Sequence, residues 1–450
     1  MKTVYVCQSC GAQSPKWMGR CGECGTWNTL VEEASRSGGA ARPVGSSNAP
    51  VPLKDVGTEA GPAVPTGIGE FDRVLGGGLV PGACVLIAGE PGIGKSTLLL
   101  QLAGAAAHTG RAVLYVTAEE SLIQIRQRAG RLGVAADALL VLNETDVEAI
   151  LLQMERIRPA LVVVDSIQMV TLAGMEGAPG TVGQVRECAA LLARGAKAAG
   201  VALVLIGHVT KSGAIAGPKV LEHIVDTVLY FEGDPDHAHR LVRVIKNRFG
   251  ATREVAAFAM TDRGLAEVAN PSSLFLREEA SGGIGSAVAA SLSGTRSLLV
   301  EVQALVTRAA YGTPNRRFTG VDYQRGTMIL AVLEKRCGLF LSGQDVFVNA
   351  VGGIELPEPA ADLAAAIAVA SSFQDRPVPG GTVFVGEVGL AGEVRPVRGT
   401  ADRLAEAKRL GFRRAVVPSD RHSKIRSNGL EVAFVKTLAQ ALDVIGGKDA

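Results

Sequence analysis

The sequence predicts an α/β protein: a mostly parallel sheet flanked by helices, a second α/β domain and a small N-terminal metal-binding ribbon. Two observations predict the main sheet. A glycine-rich loop joins an apolar strand to a helix, and further apolar strands each end in polar residues. Four cysteines near the N-terminus predict the ribbon. We divide the chain into the ribbon (1–30), a linker rich in Gly, Ser, Ala and Pro (31–57), the main domain (58–270) and the second domain (271–450).

Composition narrows the class of protein. Lys and Arg total 46 and Asp and Glu total 44, so the formal net charge is only +2. Any contact with nucleic acid must therefore come from local basic patches. The N-terminus does not resemble a signal peptide, and no uncharged apolar run reaches the ~18–20 residues that span a bilayer. The most apolar stretch, residues 360–373, is predicted to be a core helix. We expect a cytoplasmic protein without a membrane partner.

The first four cysteines form two pairs with the spacing of metal ligands. Two residues separate Cys7 from Cys10, and two separate Cys21 from Cys24. Each pair makes a tight turn that points two sulfurs at one place, and four thiolates fill the tetrahedral shell of a structural Zn²⁺. A redox role is the alternative, which the absence of a thioredoxin-like strand before the pairs disfavours. Trp17, between the pairs, is predicted to cover the ribbon's core.

The strongest motif is a phosphate-binding loop. Residues 89–96 follow an apolar strand and precede a helix, the context in which G-x-x-x-x-G-K-[ST] wraps nucleotide phosphates. Lys95 is predicted to reach the β- and γ-phosphates of ATP, and Ser96 to bind Mg²⁺. The predicted nucleotide-binding residues of this segment are Gly89, Glu90, Pro91, Gly92, Ile93, Gly94, Lys95, Ser96 and Thr97.

Three further strands are predicted to bring polar side chains to the edge of the sheet that carries this loop, because the carboxyl ends of parallel strands meet there. Asp165 ends one strand and is predicted to hold the water shell of Mg²⁺. His208 ends another and is predicted to sense the γ-phosphate. Glu119 and Glu120 end the third, where a carboxylate can polarise the attacking water. For any one of these residues alone, a helix cap or surface charge is the alternative.

The order of these strands is similar to the RecA-like ATPase core, a resemblance that selects Glu119 over Glu120 as the catalytic carboxylate. Together with the four-cysteine ribbon, "VVVDSIQ" and "KNRFG" (246–250), it makes the whole chain resemble the bacterial DNA repair proteins called RadA or Sms. This resemblance implies a DNA-dependent ATPase that forms a hexameric ring, binds single-stranded and branched DNA, and promotes branch migration alongside the RecA recombinase. It also implies that Lys246 and Arg248 are catalytic residues that reach the neighbouring subunit's ATP. A solvated strand end is the alternative.

The same resemblance implies DNA contacts in two glycine-rich stretches, residues 172–187 and 211–223. Their cations are Arg186, Lys211 and Lys219. Because aromatic side chains are missing from both stretches, we expect sequence-tolerant and salt-dependent binding to phosphates. Ordinary surface loops are the alternative.

The last segment resembles the proteolytic domain of Lon, whose Ser–Lys pair supplies an activated nucleophile. The aligned positions are Ala360 and Ala401, so the resemblance implies a retained scaffold for oligomerisation and duplex-DNA binding. Arg316 and Arg317, predicted to lie in a loop, are its best candidates for phosphate contact; a solvated loop is the alternative. Two other functions stay open: an ATP-dependent protease, which the two alanines disfavour, and a nucleotide-gated scaffold.

Overall fold

The computed structural model describes residues 2–7, 12–35, 52, 62–208, 218–233, 239–252, 254–276, 282–294, 296–309, 313–419, 429–443 and 445. Cys10 and Lys211 lie outside these ranges, and the side chain of Lys219 is also outside the description. The chain divides into two compact units, Met1–Ala269 and Asn270–Ala450.

The N-terminal ribbon is a three-stranded antiparallel sheet. Its strands, β1 (Lys2–Cys7), β2 (Gln13–Ser14) and β3 (Leu30–Ser35), lie in the order β2-β1-β3. Its buried core consists, among the described residues, of Cys7, Cys21 and Leu30. So small an apolar core is too little to stabilise a fold by itself, so a metal held by the cysteines would contribute to the folding free energy.

The rest of the first unit is built on a nine-stranded sheet. Its strands are β4 (Cys84–Gly89), β5 (Val113–Thr117), β6 (Leu139–Asn143), β7 (Leu161–Asp165), β8 (Ala202–His208), β9 (Thr227–Glu232), β10 (His239–Asn247), β11 (Val255–Thr261) and β12 (Gly264–Glu267). They lie in the order β12-β11-β10-β9-β4-β8-β7-β5-β6. The six strands from β4 to β9 run parallel, and β10, β11 and β12 continue the sheet in antiparallel fashion.

Helices cover both faces of this sheet. They are α1 (Gly69–Leu75), α2 (Lys95–Ala107), α3 (Leu122–Leu132), α4 (Val147–Ile157), α5 (Val182–Ala199) and α6 (Pro218–Leu221). Successive residues of β4 alternate between two cores: Val85 and Ile87 pack with the α1 and α2 side, and Leu86 packs with the α4 and α5 side. A strand buried on both faces reads as an unbroken apolar run, which is the pattern that predicted this sheet.

Strand β10 runs opposite to the parallel strands, from their carboxyl ends toward their amino ends. Measured through β9, Val242 is level with Gly89, at the carboxyl end of β4. Asn247 is level with Val85, near the amino end of β4. The pairing of β10 with β9 contains an irregularity between Val244 and Lys246.

The second unit contains a seven-stranded sheet. Its strands are β13 (Ser286–Ser293), β14 (Arg296–Arg308), β15 (Arg316–Thr319), β16 (Gln344–Ala350), β17 (Thr382–Phe384), β20 (Arg414–Pro418) and β21 (Glu431–Val435). They lie in the order β15-β16-β14-β13-β17-β20-β21, beside a hairpin of β18 (Glu387–Val388) and β19 (Val394–Arg395). The helices are α7 (Tyr323–Cys337), α8 (Asp362–Gln374), α9 (Thr400–Arg409) and α10 (Leu438–Leu442). The predicted α/β fold class is confirmed.

Helix α8 is the apolar segment that the sequence predicted to be a core helix, and this prediction is confirmed. Every residue from Asp362 to Ser371 is buried. In the part of the chain that the structure describes, no helix combines the length and apolar character that crossing a bilayer requires.

Two expectations about local structure are wrong. Arg316 and Arg317 are not in a loop; they begin the edge strand β15, paired with Val346 and Phe347 of β16. The strand forms because β16 offers an unpaired edge, and Phe318 packs on Tyr323 with ring centroids 5.7 Å apart. Trp17 does not cover the ribbon's core, since 57% of its surface is exposed.

Candidate active site

The phosphate loop connects β4 to α2 through a backbone that requires glycine. Gly92 and Gly94 have φ angles of 78° and 116°, in the left-handed region. A Cβ atom at Gly89 would come within 2.5 Å of the carbonyl oxygen of Phe231 on β9. The loop is therefore shaped by its own glycines and by the neighbouring strand.

Lys95 points into this loop. Its side chain is almost fully buried, and Nζ donates hydrogen bonds to the carbonyl oxygens of Gly89 at 2.9 Å and Glu90 at 2.8 Å. Burial lowers the pKa of Lys95 to about 8, while the negative charges of Asp165 and Glu119 act in the opposite direction. The ammonium is thus held where a phosphate bound by the loop would meet it.

Asp165 lies at the end of β7, next to the start of α2. Burial raises the pKa of Asp165, and hydrogen bonds from Tyr115 and Ser96 oppose that rise. The hydroxyl of Tyr115 donates to Oδ2 of Asp165 at 2.7 Å. The structure therefore brings together Ser96 and Asp165, the two residues predicted to hold Mg²⁺. Their oxygen atoms suit this ion, which prefers hard oxygen ligands.

The two neighbouring glutamates have different surroundings. The carboxylate of Glu119 accepts a hydrogen bond from the hydroxyl of Ser166, whereas Glu120 forms an ion pair with Arg128. His208 lowers the pKa of Glu119, and Ser166 and Lys95 lower it further, against the opposing effect of burial. Of the two carboxylates, only that of Glu119 contacts residues at the ends of β7 and β8.

His208 is placed beside this carboxylate, with Nε2 at 3.3 Å from Oε1 of Glu119. Its Nδ1 atom is buried and has no hydrogen-bond partner among the residues described here. The amide of Gln168 donates to the backbone oxygen of His208 at 3.4 Å, and its own Oε1 is likewise buried without a partner in the same set. Buried polar atoms without partners are expected where a ligand supplies them.

Four residues of this region were not singled out by sequence reasoning: Tyr115, Ser166, Gln168 and Arg240. Ser166 and Gln168 could have been found from the sequence, because both belong to the "VVVDSIQ" segment that carries the family resemblance. Nothing in the sequence indicated that Arg240 belongs to this site. It is 6% exposed, and its Nε atom donates to the carbonyl oxygen of Ile93 in the phosphate loop at 3.1 Å.

Lys246 and Arg248 are not part of this cluster. Nζ of Lys246 donates to the carbonyl oxygens of Glu222 and Val225. Nη1 of Arg248 lies 3.0 Å from Oδ1 of Asp226, although more than half of the Arg248 side chain remains exposed. Burial and the charge of Arg248 lower the pKa of Lys246. Both cations therefore lie against residues 222–226, near the amino ends of the parallel strands, whereas the phosphate loop lies at their carboxyl ends.

Asn247, between them, holds the exit of the strand. Its side-chain oxygen accepts hydrogen bonds from the hydroxyl of Thr227 at 3.2 Å and the backbone N–H of Phe249 at 3.0 Å. A Cβ atom at Gly250 would lie 2.9 Å from Nδ2 of Asn247. The "KNRFG" segment thus makes a compact turn that leaves Arg248 at the surface.

The predicted DNA-binding cations occupy varied settings. Arg186 lies on helix α5 rather than in a loop, and its guanidinium is 3.1 Å from the carboxylate of Glu187. The preceding loop is tied to the helix by Gln184, which accepts from Leu172 N–H at 2.9 Å and donates to the oxygen of Met175 at 2.8 Å.

The described cysteines of the ribbon converge. The sulfurs of Cys7, Cys21 and Cys24 all lie within 4.8 Å of one another, and those of Cys7 and Cys24 are 3.7 Å apart. Tetrahedral coordination with Zn–S bonds of about 2.3 Å requires sulfurs about 3.8 Å apart. The three sulfurs therefore fit a zinc ion.

The positions aligned with the Lon dyad hold alanines in different settings: Ala360 is buried, and Ala401 is exposed on α9. The nearby serine and lysine side chains have structural partners. The hydroxyl of Ser371 accepts from Gly285 N–H and donates to the oxygen of Arg376, and Lys408 donates to the oxygen of Gly429. None of these hydrogen bonds joins Ser371 to Lys408.

Three family models match parts of the chain. They are an AAA domain over residues 67–214, a rubredoxin metal binding domain over residues 5–32, and subunit ChlI of Mg-chelatase over residues 334–421. Among solved structures, a KaiC-like protein from the hyperthermophilic archaeon Pyrococcus horikoshii aligns with a TM-score of 0.39 and 23% identity, over 46% of this chain and 99% of that one.

Curated relatives match almost the whole chain. The DNA repair protein RadA of Bacillus subtilis (strain 168) is 48% identical over 448 residues, which cover 98% of each chain. The DNA repair protein RadA of Pseudomonas aeruginosa is 50% identical over 449 residues, which cover 99% of each. The chain therefore belongs to the RadA family of DNA repair proteins, with an AAA ATPase domain and an N-terminal zinc ribbon.

Proposed function

We propose that this protein is a DNA-dependent ATPase of recombinational DNA repair, in which each ATP is hydrolysed between two subunits. The phosphates are bound by the loop and the start of α2, that is, by Gly89, Glu90, Pro91, Gly92, Ile93, Gly94, Lys95, Ser96 and Thr97. Ser96 and Asp165 hold Mg²⁺, which would neutralise phosphate charge when bound. Glu119 orients the attacking water, and His208 senses the γ-phosphate. The cluster of the buried Lys95 and Asp165 with the more exposed Glu119 supports these roles.

The observation that carries the proposal is the distance between a subunit's Arg248 and its own phosphate loop. Asn247 is level with Val85, four residues before Gly89 on β4, and a strand rises about 3.3 Å per residue. The end of β10 therefore lies about 13 Å or more, measured along the strands, from the start of its own loop. We infer that Lys246 and Arg248 serve the ATP of a neighbouring subunit, where an added cation stabilises charge on the γ-phosphate.

Mixed assemblies test this arrangement. Arg248→Ala subunits keep an intact loop, and Glu119→Gln subunits keep an intact Arg248 but cannot activate water. Each variant alone is expected to be nearly inactive. In an equal mixture, about a quarter of the interfaces would pair the intact loop of an Arg248→Ala subunit with the intact Arg248 of a Glu119→Gln subunit, because the two variants assemble at random. Recovery of about a quarter of the wild-type rate supports the proposal, and no recovery in verified mixed assemblies contradicts it.

DNA is the proposed partner of the assembly, which we infer to be a hexameric ring in the cytoplasm. Single-stranded DNA contacts the region of Arg186, Lys211 and Lys219, and branch migration of recombination intermediates proceeds alongside the RecA recombinase. The test is the ATPase rate with and without single-stranded DNA. An increase that falls as salt rises from about 50 to 200 mM supports the proposal. No increase at low salt favours a nucleotide-gated scaffold instead.

The remaining modules have supporting roles in this proposal. The ribbon (1–30), whose strand β3 continues to Ser35, binds Zn²⁺ through Cys7, Cys10, Cys21 and Cys24, and the rest of the predicted linker (31–57) connects it to the ATPase domain (58–270). The Lon-like domain (271–450) is an assembly platform, and Arg316 and Arg317 contact duplex DNA. An ATP-dependent protease is the alternative, disfavoured by Ala360 and Ala401. Peptide cleavage in the presence of ATP would support the protease alternative.

A further inference from the structure

Strand β10 connects two places that, under the proposed function, belong to different catalytic sites. Near its start, Nε of Arg240 donates to the carbonyl oxygen of Ile93 in the phosphate loop at 3.1 Å. Lys246 and Arg248 follow six and eight positions later along the chain. Between them the strand pairs with β9 from Leu241 to Asn247, with the irregularity between Val244 and Lys246, and with β11 as far as Arg243. Movement of one end is therefore not isolated from the other.

Arg240 is built into the sheet. It is 6% exposed, and its Nη1 atom donates to the backbone oxygen of His239 at 2.9 Å. Gly233, just beyond β9, leaves room for it, since a Cβ atom there would come within 2.7 Å of Cδ of Arg240. A buried guanidinium is costly unless its N–H groups are satisfied, so its bond to Ile93 holds the loop and the strand together.

Ile93 is also well placed to report the state of the loop. It lies between Gly92 and Gly94, both with positive φ, and its side chain is buried. Its carbonyl oxygen is carried by the segment that wraps the phosphates. A change in the loop on nucleotide binding would therefore act directly on the bond to Arg240.

We propose that Arg240 is a positioning residue that couples the phosphate loop of its own subunit, through β10, to Lys246 and Arg248. A subunit with an occupied loop then presents these two cations correctly to the next subunit's ATP. This inference rests on the proposed function, because it requires that Arg248 act on a neighbour.

The test uses full-length chains in mixed assemblies. The hydrolysing subunits carry Arg248→Ala, and three kinds of donor subunit are compared. One donor carries Glu119→Gln alone, the second adds Arg240→Met, and the third adds Arg243→Met. Arg243 is the matched control, because it lies on the same strand but pairs with Glu232 at 3.2 Å rather than with the loop. Hydrolysis in every mixture occurs in loops with wild-type Arg240.

Donors with Arg240→Met are expected to lower the maximal rate by about fivefold or more, because a filled donor loop no longer positions the two cations, while the half-maximal ATP concentration stays within about twofold, because the hydrolysing loops keep wild-type Arg240. Arg243→Met donors should behave like Glu119→Gln donors, and Arg240→Lys should restore part of the lost rate. An unchanged maximal rate overturns the coupling, as does an equal loss with Arg243→Met donors, which indicates a merely structural defect. If Glu119→Gln donors restore no activity at all, the proposed function itself fails.

Discussion

The hydroxyl of Ser166 donates a hydrogen bond to the carboxylate of Glu119. This contact fixes the carboxylate beside Asp165, so that Ser166 acts through Glu119. We expect Ser166→Ala to lower kcat by roughly tenfold, the loss of about one hydrogen bond, while KM for ATP changes little. Steady-state kinetics at saturating single-stranded DNA measure both values. A rise in KM with an unchanged kcat would mean that Ser166 supports nucleotide binding instead.

The different partners of the two adjacent glutamates lead to a second prediction. Glu119→Gln should reduce hydrolysis by at least about 100-fold and leave nucleotide binding intact, because the amide cannot polarise water as a carboxylate does. Glu120→Gln is the matched control and should keep most of the activity, since it only weakens the ion pair with Arg128. Binding of a fluorescent ATP analogue and single-turnover hydrolysis separate the two effects. Greater loss in Glu120→Gln would reverse the assignment.

An ion pair in the second unit between a buried carboxylate and a half-buried guanidinium predicts a pH-dependent stability. Nε of Arg325 donates to Oδ1 of Asp362 at 3.0 Å, and Asp362 is 3% exposed. Burial raises the pKa of Asp362, and Arg325 opposes that rise. In Arg325→Leu the opposing charge is gone, so the folded-state pKa moves further above the unfolded value of about 3.9. As pH falls toward that raised pKa, the folded state takes up the proton more readily than the unfolded chain.

The free energy of unfolding should therefore fall by about 3 kcal/mol in Arg325→Leu at pH 7 and by less at pH 5. Urea denaturation of the full-length chain at the two pH values measures the difference. The double variant Arg325→Leu/Asp362→Leu is the control, because it removes the titrating group and should lose the added pH dependence. Equal destabilisation of Arg325→Leu at both pH values would contradict this explanation.

The convergence of sulfurs in the ribbon predicts one zinc ion per chain. Cys24→Ser should abolish stoichiometric zinc, because three thiolates cannot close the tetrahedral shell, whereas Cys337→Ser should retain it. Atomic emission spectroscopy of the purified protein measures the metal content, and a chelator should unfold the ribbon of the wild-type chain. Equal zinc content in the two variants would exclude this centre.

Sequence reasoning reached the residues whose chemistry is local. The phosphate loop is readable because its glycines, Lys95 and Ser96 are contiguous, and Asp165 and His208 are readable because each ends an apolar strand. Their partners depend on which strands become neighbours. Nothing near Tyr115 in the sequence indicates that its hydroxyl meets Asp165, fifty residues away.

The failures have the same origin. Arg316 and Arg317 form a strand only because β16 offers them an edge, and a short polar strand has no pattern of its own. Trp17 is predicted to lie in the ribbon's core because large apolar residues are usually buried, but Cys7, Cys21 and Leu30 already fill that small space. Arg240 was overlooked because an arginine in a strand is read as surface until its partner in the loop is known.

The reversal of β10 has a consequence for how many subunits can work at once. A subunit that receives cations on one side and donates them on the other cannot complete its own catalytic site. The last subunit of an open row also has no neighbour to supply the missing cations. A row of n subunits would contain n − 1 complete sites, and only closure supplies the missing one. Under the proposed function, the activity of each subunit should therefore rise with assembly length and reach its full value only when the row closes on itself.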